Sequence, residues 1–145
     1  MARRTSVQIS GIDELHDMLR EVMPNQARNI LRSTVQGVAS QVTKEMRKRA
    51  PKDEGVLRKA IKAKRRRGSR DEIVSEVRIE HGRGARNDAW HWHFIEFGTL
   101  QHPPAPFIIP TVESMGPRIP GIFREQFGKK YEATLRRIAR RNAKR

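Results

Sequence analysis

The stretch HFIEFGTLQHPPAPFIIPTVE, His93 to Glu113, sets apolar residues beside the most rigid ones in the chain. Its beginning belongs to WHWHFIEFGT, which starts at Trp90 and reads as a strand. Trp90, Trp92, Phe94 and Glu96 then share one face, and His91, His93, Ile95 and Phe97 share the other. Aromatics on both faces predict that both are covered. Gly98 ends the strand, because glycine turns where a side chain would clash. Pro103, Pro104, Pro106 and Pro110 then fix several φ angles and lower the entropy lost on ordering. Phe107, Ile108 and Ile109 are thereby carried on a stiff arm. Such an arm suits docking onto a neighbouring subunit, since little freedom is lost on binding. It equally suits Phe107 and Ile109 closing the end of their own core.

The pattern continues on both sides of this stretch. Downstream, Ile119 to Arg141 reads as a helix with Phe123, Phe127, Tyr131, Leu135, Ile138 and Ala139 as its apolar stripe and a basic opposite face. Upstream, KAKRRRGSRDEIVSEVRIEHG reads as two strands around a loop at Arg67–Asp71. In the second strand Ile73, Ser75, Val77 and Ile79 face the core. Before them, APKDEGVLRKAI is a turn followed by a strand or short helix. From about Asn25 to Arg49, Leu31, Val35, Val38, Val42 and Met46 form a helical stripe that Pro51 terminates. Residues 12–22 read as a short amphipathic helix and Ser6–Ser10 as a short strand. The fold class is α+β: a small antiparallel sheet packed against a long helix in the N-terminal half and a C-terminal helix.

With 145 residues the chain has the length of one domain, spanning 1–145, with a basic hairpin arm at about 57–80 and a fraying basic tail at about 140–145. Only 36% of residues are hydrophobic and the mean hydropathy is −0.77. The core is modest, and partner chains are expected to add stability. Cysteine is absent, which excludes disulfides and thiolate metal sites and suits synthesis in a reducing cytosol. No apolar run approaches the roughly 18–20 residues that span a bilayer, and MARRTSVQIS lacks the apolar segment of a signal peptide. No membrane partner is expected.

The net charge of +15 attracts polyanions: nucleic acid or acidic protein surfaces. Between Lys44 and Arg70 there are 13 Lys/Arg against 3 Asp/Glu. Lys62, Lys64 and Arg66 fall on one face of the arm, and Arg65 and Arg67 on the other. With Arg70 and the C-terminal Arg136, Arg137, Arg140 and Arg141 they form a basic contact surface for an acidic partner or DNA. The arm has no interleaved aromatics for base stacking and no recognition helix, so any contact with nucleic acid is non-specific.

Catalytic signals are missing. The chain has no G-x-S-x-G, P-loop or H-E-x-x-H, and its carboxylates are scattered. His93 and Glu96, at odd spacing in a strand, point to opposite faces. His81, His91, His93 and His102 match no metal motif. No enzyme activity, cofactor or metal is expected.

Three segments taken together are specific: MRKRAPKDEGVLRKAI, HFIEFGT and PPAPFIIPTVE. In this order and spacing the chain resembles the small head–tail joining (neck, or tail-completion) proteins of long-tailed bacteriophages, over about residues 9 to 140. His91, Trp92, His93 and the basic tail depart from the family pattern. The resemblance implies a structural virion protein of the neck. It would form a homo-oligomeric ring, six-fold by expectation, between the portal and connector of the filled head and the tail tube, with double-stranded DNA passing through the lumen. Tail terminators and head-closure proteins share this size and architecture and stay open as alternatives. On this reading Trp90, Trp92, Phe94, Glu96, Phe97, Gly98, Thr99, Pro104, Pro106, Phe107, Ile109 and Pro110 make subunit or partner contacts. A non-specific nucleic-acid-binding protein explains the charge as well, but not the aromatic and proline segment. A metal-dependent nuclease would need clustered carboxylates.

Overall fold

The computed structural model describes residues 24–52, 55–69 and 72–144; the expected N-terminal strand and the helix at 12–22 lie outside them. Five helices and one hairpin follow in chain order. They are α1 (Pro24–Arg49), α2 (Val56–Ala60), β1 (Ile61–Arg66), β2 (Val74–Ile79), α3 (Trp92–Phe97), α4 (Ile108–Met115) and α5 (Ile119–Ala143), with a 3₁₀ turn at Gly116–Arg118 before α5. The strands pair antiparallel from Ile61↔Ile79 to Arg66↔Val74. The architecture is α+β, with helix α1 packed on both the hairpin and α5.

Helix α1 is shared by two cores. Its C-terminal half supplies Met46 and Ala50 to a cluster with Leu57, Ala60, Ile61, Ala89 and Phe107, against which Val77, Ile79, Trp92 and Ile95 pack. Its N-terminal half supplies Ile30 and Val38 to a cluster with Phe123, Phe127 and Tyr131 of α5. These three rings follow one another at helical spacing, with centroids 6.1 Å apart at each step.

The buried face of α1 is rotated from the predicted stripe. Ile30, Thr34, Val38, Ala39, Thr43, Met46 and Ala50 are buried, whereas Leu31, Val35 and Val42 are only half-buried. Two threonines can lie inside because each hydroxyl bonds within its own helix. Thr34 Oγ1 donates to the Ile30 carbonyl at 2.7 Å and Thr43 Oγ1 to that of Ala39 at 2.9 Å. Buried hydroxyls with partners carry little desolvation penalty. In α5, similarly, Thr134 is buried and bonds to the Lys130 carbonyl, while Leu135 is 39% exposed and Ala139 faces outward.

The junction after α1 is held by two arginines. Arg58 donates to the Ala50 carbonyl through Nε (3.1 Å) and Nη2 (2.8 Å), capping the end of the helix. Arg47 donates to the Ile61 carbonyl through Nε (3.0 Å) and Nη2 (2.6 Å), fixing the start of β1 on α1. The Ala-Pro, Gly and Leu-Arg of APKDEGVLRKAI thus have local structural roles: Ala50 and Leu57 are buried, and Gly55 takes φ 64°.

The predicted third strand is not formed. Its core, Trp92–Phe97, is helix α3. Alternating aromatic and polar residues satisfy period 2, but Trp92, Ile95 and Glu96 also satisfy the helical spacing of three and four, and packing selects the latter. Turn bonds start the helix, from Trp92 N to the Ala89 carbonyl and from Phe94 N to that of His91. One face only is covered, contrary to the expectation for a strand.

The arm is partly self-neutralised. Glu80 accepts from Lys62 at 2.7 Å and faces Lys64 at 3.1 Å; Arg66 lies 3.8 Å from Glu76. The hydrogen bonds from Lys62, then Lys64, hold the Glu80 carboxyl below the usual carboxylate range. A depressed carboxylate pKa stabilises the fold above the unfolded-state value of about 4.3, and the gain is lost as pH falls through the folded value. We therefore expect Glu80→Gln to lower the melting temperature at pH 7, with the gap to wild type closing below about pH 4. A gap independent of pH would show that the two ammonium groups do not set this contribution.

Candidate interaction surface

The centre of the site is a buried carboxylate. Glu96 lies on the inner side of α3 at 3% exposure and reaches the N-terminus of α4. Its Oε2 accepts from the backbone N–H of Phe107 (2.8 Å) and Ile108 (2.9 Å), and its Oε1 from that of Ile109 (2.9 Å). A helix leaves its first N–H groups without internal partners. Here three are taken by Glu96, and the next residue, Pro110, has no N–H to satisfy. The negative charge also faces the positive end of the helix dipole.

Gly98 makes this closure possible. It adopts φ 76° and ψ 175°, a region that side chains exclude, and its N–H donates to the Phe94 carbonyl to end α3. A Cβ here would lie 2.8 Å from Pro104 N and 2.9 Å from its Cδ. Thr99 then pins the turn. Its N–H donates to the His102 carbonyl, and its Oγ1 accepts from the N–H of Gln101 and of His102. Ala105 N–H donates to the Ile95 carbonyl at 2.8 Å, returning the chain along α3. Phe107 is fully buried in the hairpin core, and Thr111 Oγ1 donates to its carbonyl at 2.6 Å.

The predicted contact residues therefore divide. Glu96 and Phe107 are interior and cannot touch a partner directly. Gly98 and Thr99 shape the turn, and Pro110 completes the first turn of α4. Trp92 packs against the hairpin core, and Pro104 and Pro106 are exposed. What remains is a set of exposed apolar residues: Trp90 is 59% exposed, Phe94 50%, Phe97 66% and Ile109 48%, with Leu100 fully exposed at the turn. Trp90 and Phe94 meet edge to face at 5.9 Å. Leu100 and the capping role of Glu96 were not anticipated from sequence. Reading α3 at helical period would have found the face, since Trp90, Phe94 and Phe97 are spaced by four and three.

Among the predicted basic residues, Lys62, Lys64 and Arg66 spend part of their charge on Glu80 and Glu76, whereas Arg65 and Arg67 lie beside Arg28 and Arg32 of α1. Arg70 lies outside the described residues. Arg136 is 3.7 Å from Glu132 on the surface of α5, and Arg137, Arg140 and Arg141 are exposed. His81 and His93 have ring centroids 6.5 Å apart. Among the described residues no three His, Asp or Glu converge as a metal site would require, and no helix is long and apolar enough to cross a membrane.

The exposed Trp90, Phe94 and Phe97 offer an apolar surface for contact with other proteins. Residues 13–98 match the model of the HK97-gp10-like family, described as "Bacteriophage HK97-gp10, putative tail-component", and the chain belongs to this family. No curated protein and no solved structure gives a match. The chain is thus a phage structural protein of the tail and neck class.

Replacing Glu96 by Gln keeps the shape but leaves one carbonyl oxygen for three amides. We expect a loss of about 1.5–3 kcal/mol in urea denaturation, since hydrogen bonds to charged groups are the strong ones. Exchange of the Phe107, Ile108 and Ile109 amides should quicken. Gly98→Ala should cost at least about 1–3 kcal/mol through backbone strain alone. Unchanged stability in both variants would refute the latch.

Proposed function

We propose that the protein forms a homo-oligomeric ring, six-fold in keeping with the resemblance described above, in the neck of a long-tailed phage. The ring joins the DNA-filled head, at its portal and connector, to the tail tube, and the genome passes through its lumen. The protein acts in the virion by binding alone, without catalysis. The observation that carries this reading is the face of Trp90, Phe94, Phe97, Leu100 and Ile109. Large aromatics standing together in water are a binding surface in want of a partner. In a closed ring one surface of each subunit meets a different surface of the next, so a single apolar face on each copy is sufficient. Family membership supports the phage setting. The exposed arginines of α5, with Lys62 and Lys64 of the arm, face an acidic partner ring or DNA. Most of this charge lies outside the lumen, because a strongly basic channel would grip passing DNA.

Deleting the gene should give DNA-filled heads beside unattached tails in electron micrographs. Tails of irregular length would place the protein at the tail terminus instead, and heads that have lost their DNA would indicate a head-closure role. Normal infectious particles would refute all three. The double variant Phe94→Asp, Phe97→Asp alters no buried side chain, so it should stay folded, with a melting temperature lowered a little by the lost Trp90–Phe94 contact, yet fail to restore joined particles to the deletion. Full restoration would show that this face is not the interface.

A further inference from the structure

Residues 65–69 and 72–75 of the hairpin and the first turns of α1 line an open cleft of about 340 Å³. Arg28 and Arg32 line it from the helix, and Arg65, Arg66 and Arg67 from the hairpin, with Glu72 the one carboxylate among its lining residues. Arg66 turns toward Glu76. The other four guanidiniums have no carboxylate partner among the described residues. Arg28 closes the tip onto the helix through a 3.4 Å bond from Nη2 to the Ser69 carbonyl, and its Nε is buried without an acceptor. A buried charged donor with no partner is costly. Lys130 adds to the crowding: burial, and then the nearby charge of Arg65, push its ammonium below the usual lysine range.

Four like charges held around one cleft repel each other, and an anion with several acceptor oxygens would relieve both the repulsion and the unfilled donor. Guanidinium forks match tetrahedral oxyanions bidentately, and a phosphate presents more acceptor directions than a single carboxylate. No aromatic lines the cleft, so a base would have nothing to stack on. We propose that this cleft is a phosphate-binding site, taking phosphate from a nucleic-acid backbone or free in solution without reading sequence. The proposal stands on the cleft alone and does not require a ring.

The test uses the full chain and two double variants that conserve charge: Arg32→Lys with Arg65→Lys in the cleft, and Arg140→Lys with Arg141→Lys on α5. Fluorescence anisotropy with a labelled DNA duplex of mixed sequence should show the cleft variant about tenfold weaker, because lysine keeps the charge but loses the bidentate fork. The α5 variant should change by less than about twofold, as a screened surface charge does. Melting with inorganic phosphate, against chloride at equal ionic strength, separates the sources. Stabilisation of wild type but not of the cleft variant shows that free phosphate suffices; a difference confined to the duplex assigns the site to backbone phosphate. Equal weakening of both variants, or of neither, would mean a diffuse field and overturn the proposal. Tighter binding of poly-glutamate than of duplex, lost in the cleft variant, would overturn it in favour of an acidic protein partner.

Discussion

The contact between Glu96 and the start of α4 joins α3 to the segment that leads into α5, and α5 itself packs on α1 through Phe123, Phe127 and Tyr131. One carboxylate receives three amides, and the proline that follows removes the need for a fourth. Because Glu96 is carried by α3, the arrangement ties α3 to α4 across the whole 98–106 turn. Phe107 can then enter the hairpin core, and α4 leads through its 3₁₀ turn into α5. A free carboxylate would be costly at 3% exposure; here burial is offset by charge-assisted bonds and the helix dipole. The rigid outer face follows from the same contact. Trp90, Phe94 and Phe97 stand outward because the inner side of α3 is committed to Glu96, Ile95 and Trp92.

The electrostatics follow a comparable division. The hairpin alternates in two senses, so one strand face meets Glu80 and Glu76 while the other carries toward α1 arginines with no carboxylate partner among the described residues. Net charge alone describes neither face. The exposed pairs Lys48–Glu45 and Lys129–Glu125, though only 2.8 and 2.7 Å long, sit in solvent and contribute little to stability. Around the arginine cleft Arg32, Arg65 and Arg67 are likewise exposed and screened, and it is the buried Nε of Arg28 that lacks a partner in the described structure.

Much of the fold was legible because its signals were local. The Pro51 stop, the two hairpin strands now seen at Ile61–Arg66 and Val74–Ile79, and the Phe123–Phe127–Tyr131 stripe all lie within one element or between neighbours. The failures have a common cause in tertiary context. Thr34 and Thr43 look polar in sequence, but each satisfies its hydroxyl on the carbonyl four residues back and so joins the buried face of α1. WHWHFIEF fits both periods, and the long-range contacts of one face, Trp92 and Ile95 on the hairpin core and Glu96 on the amides of Phe107, Ile108 and Ile109, decide for the helix. The site was half legible for the same reason. EFGT and PFIIP were singled out together, yet that the first caps the second depends on a long-range contact that no spacing rule encodes.

That coupling also bears on why the proline segment is rigid. A flexible arm bearing the same apolar groups would lose conformational entropy twice, once on folding and again on binding. Here the prolines restrict the unfolded chain, Gly98 and Thr99 fix the turn, and Glu96 locks the far end. The exposed groups are therefore presented in one arrangement before any partner arrives. For a phage structural protein that works by contact with other proteins, such preorganisation counts as well as the area of the patch. In the proposed ring each copy would present the same few aromatics, and copies oriented alike would engage at once where mobile ones would engage in turn.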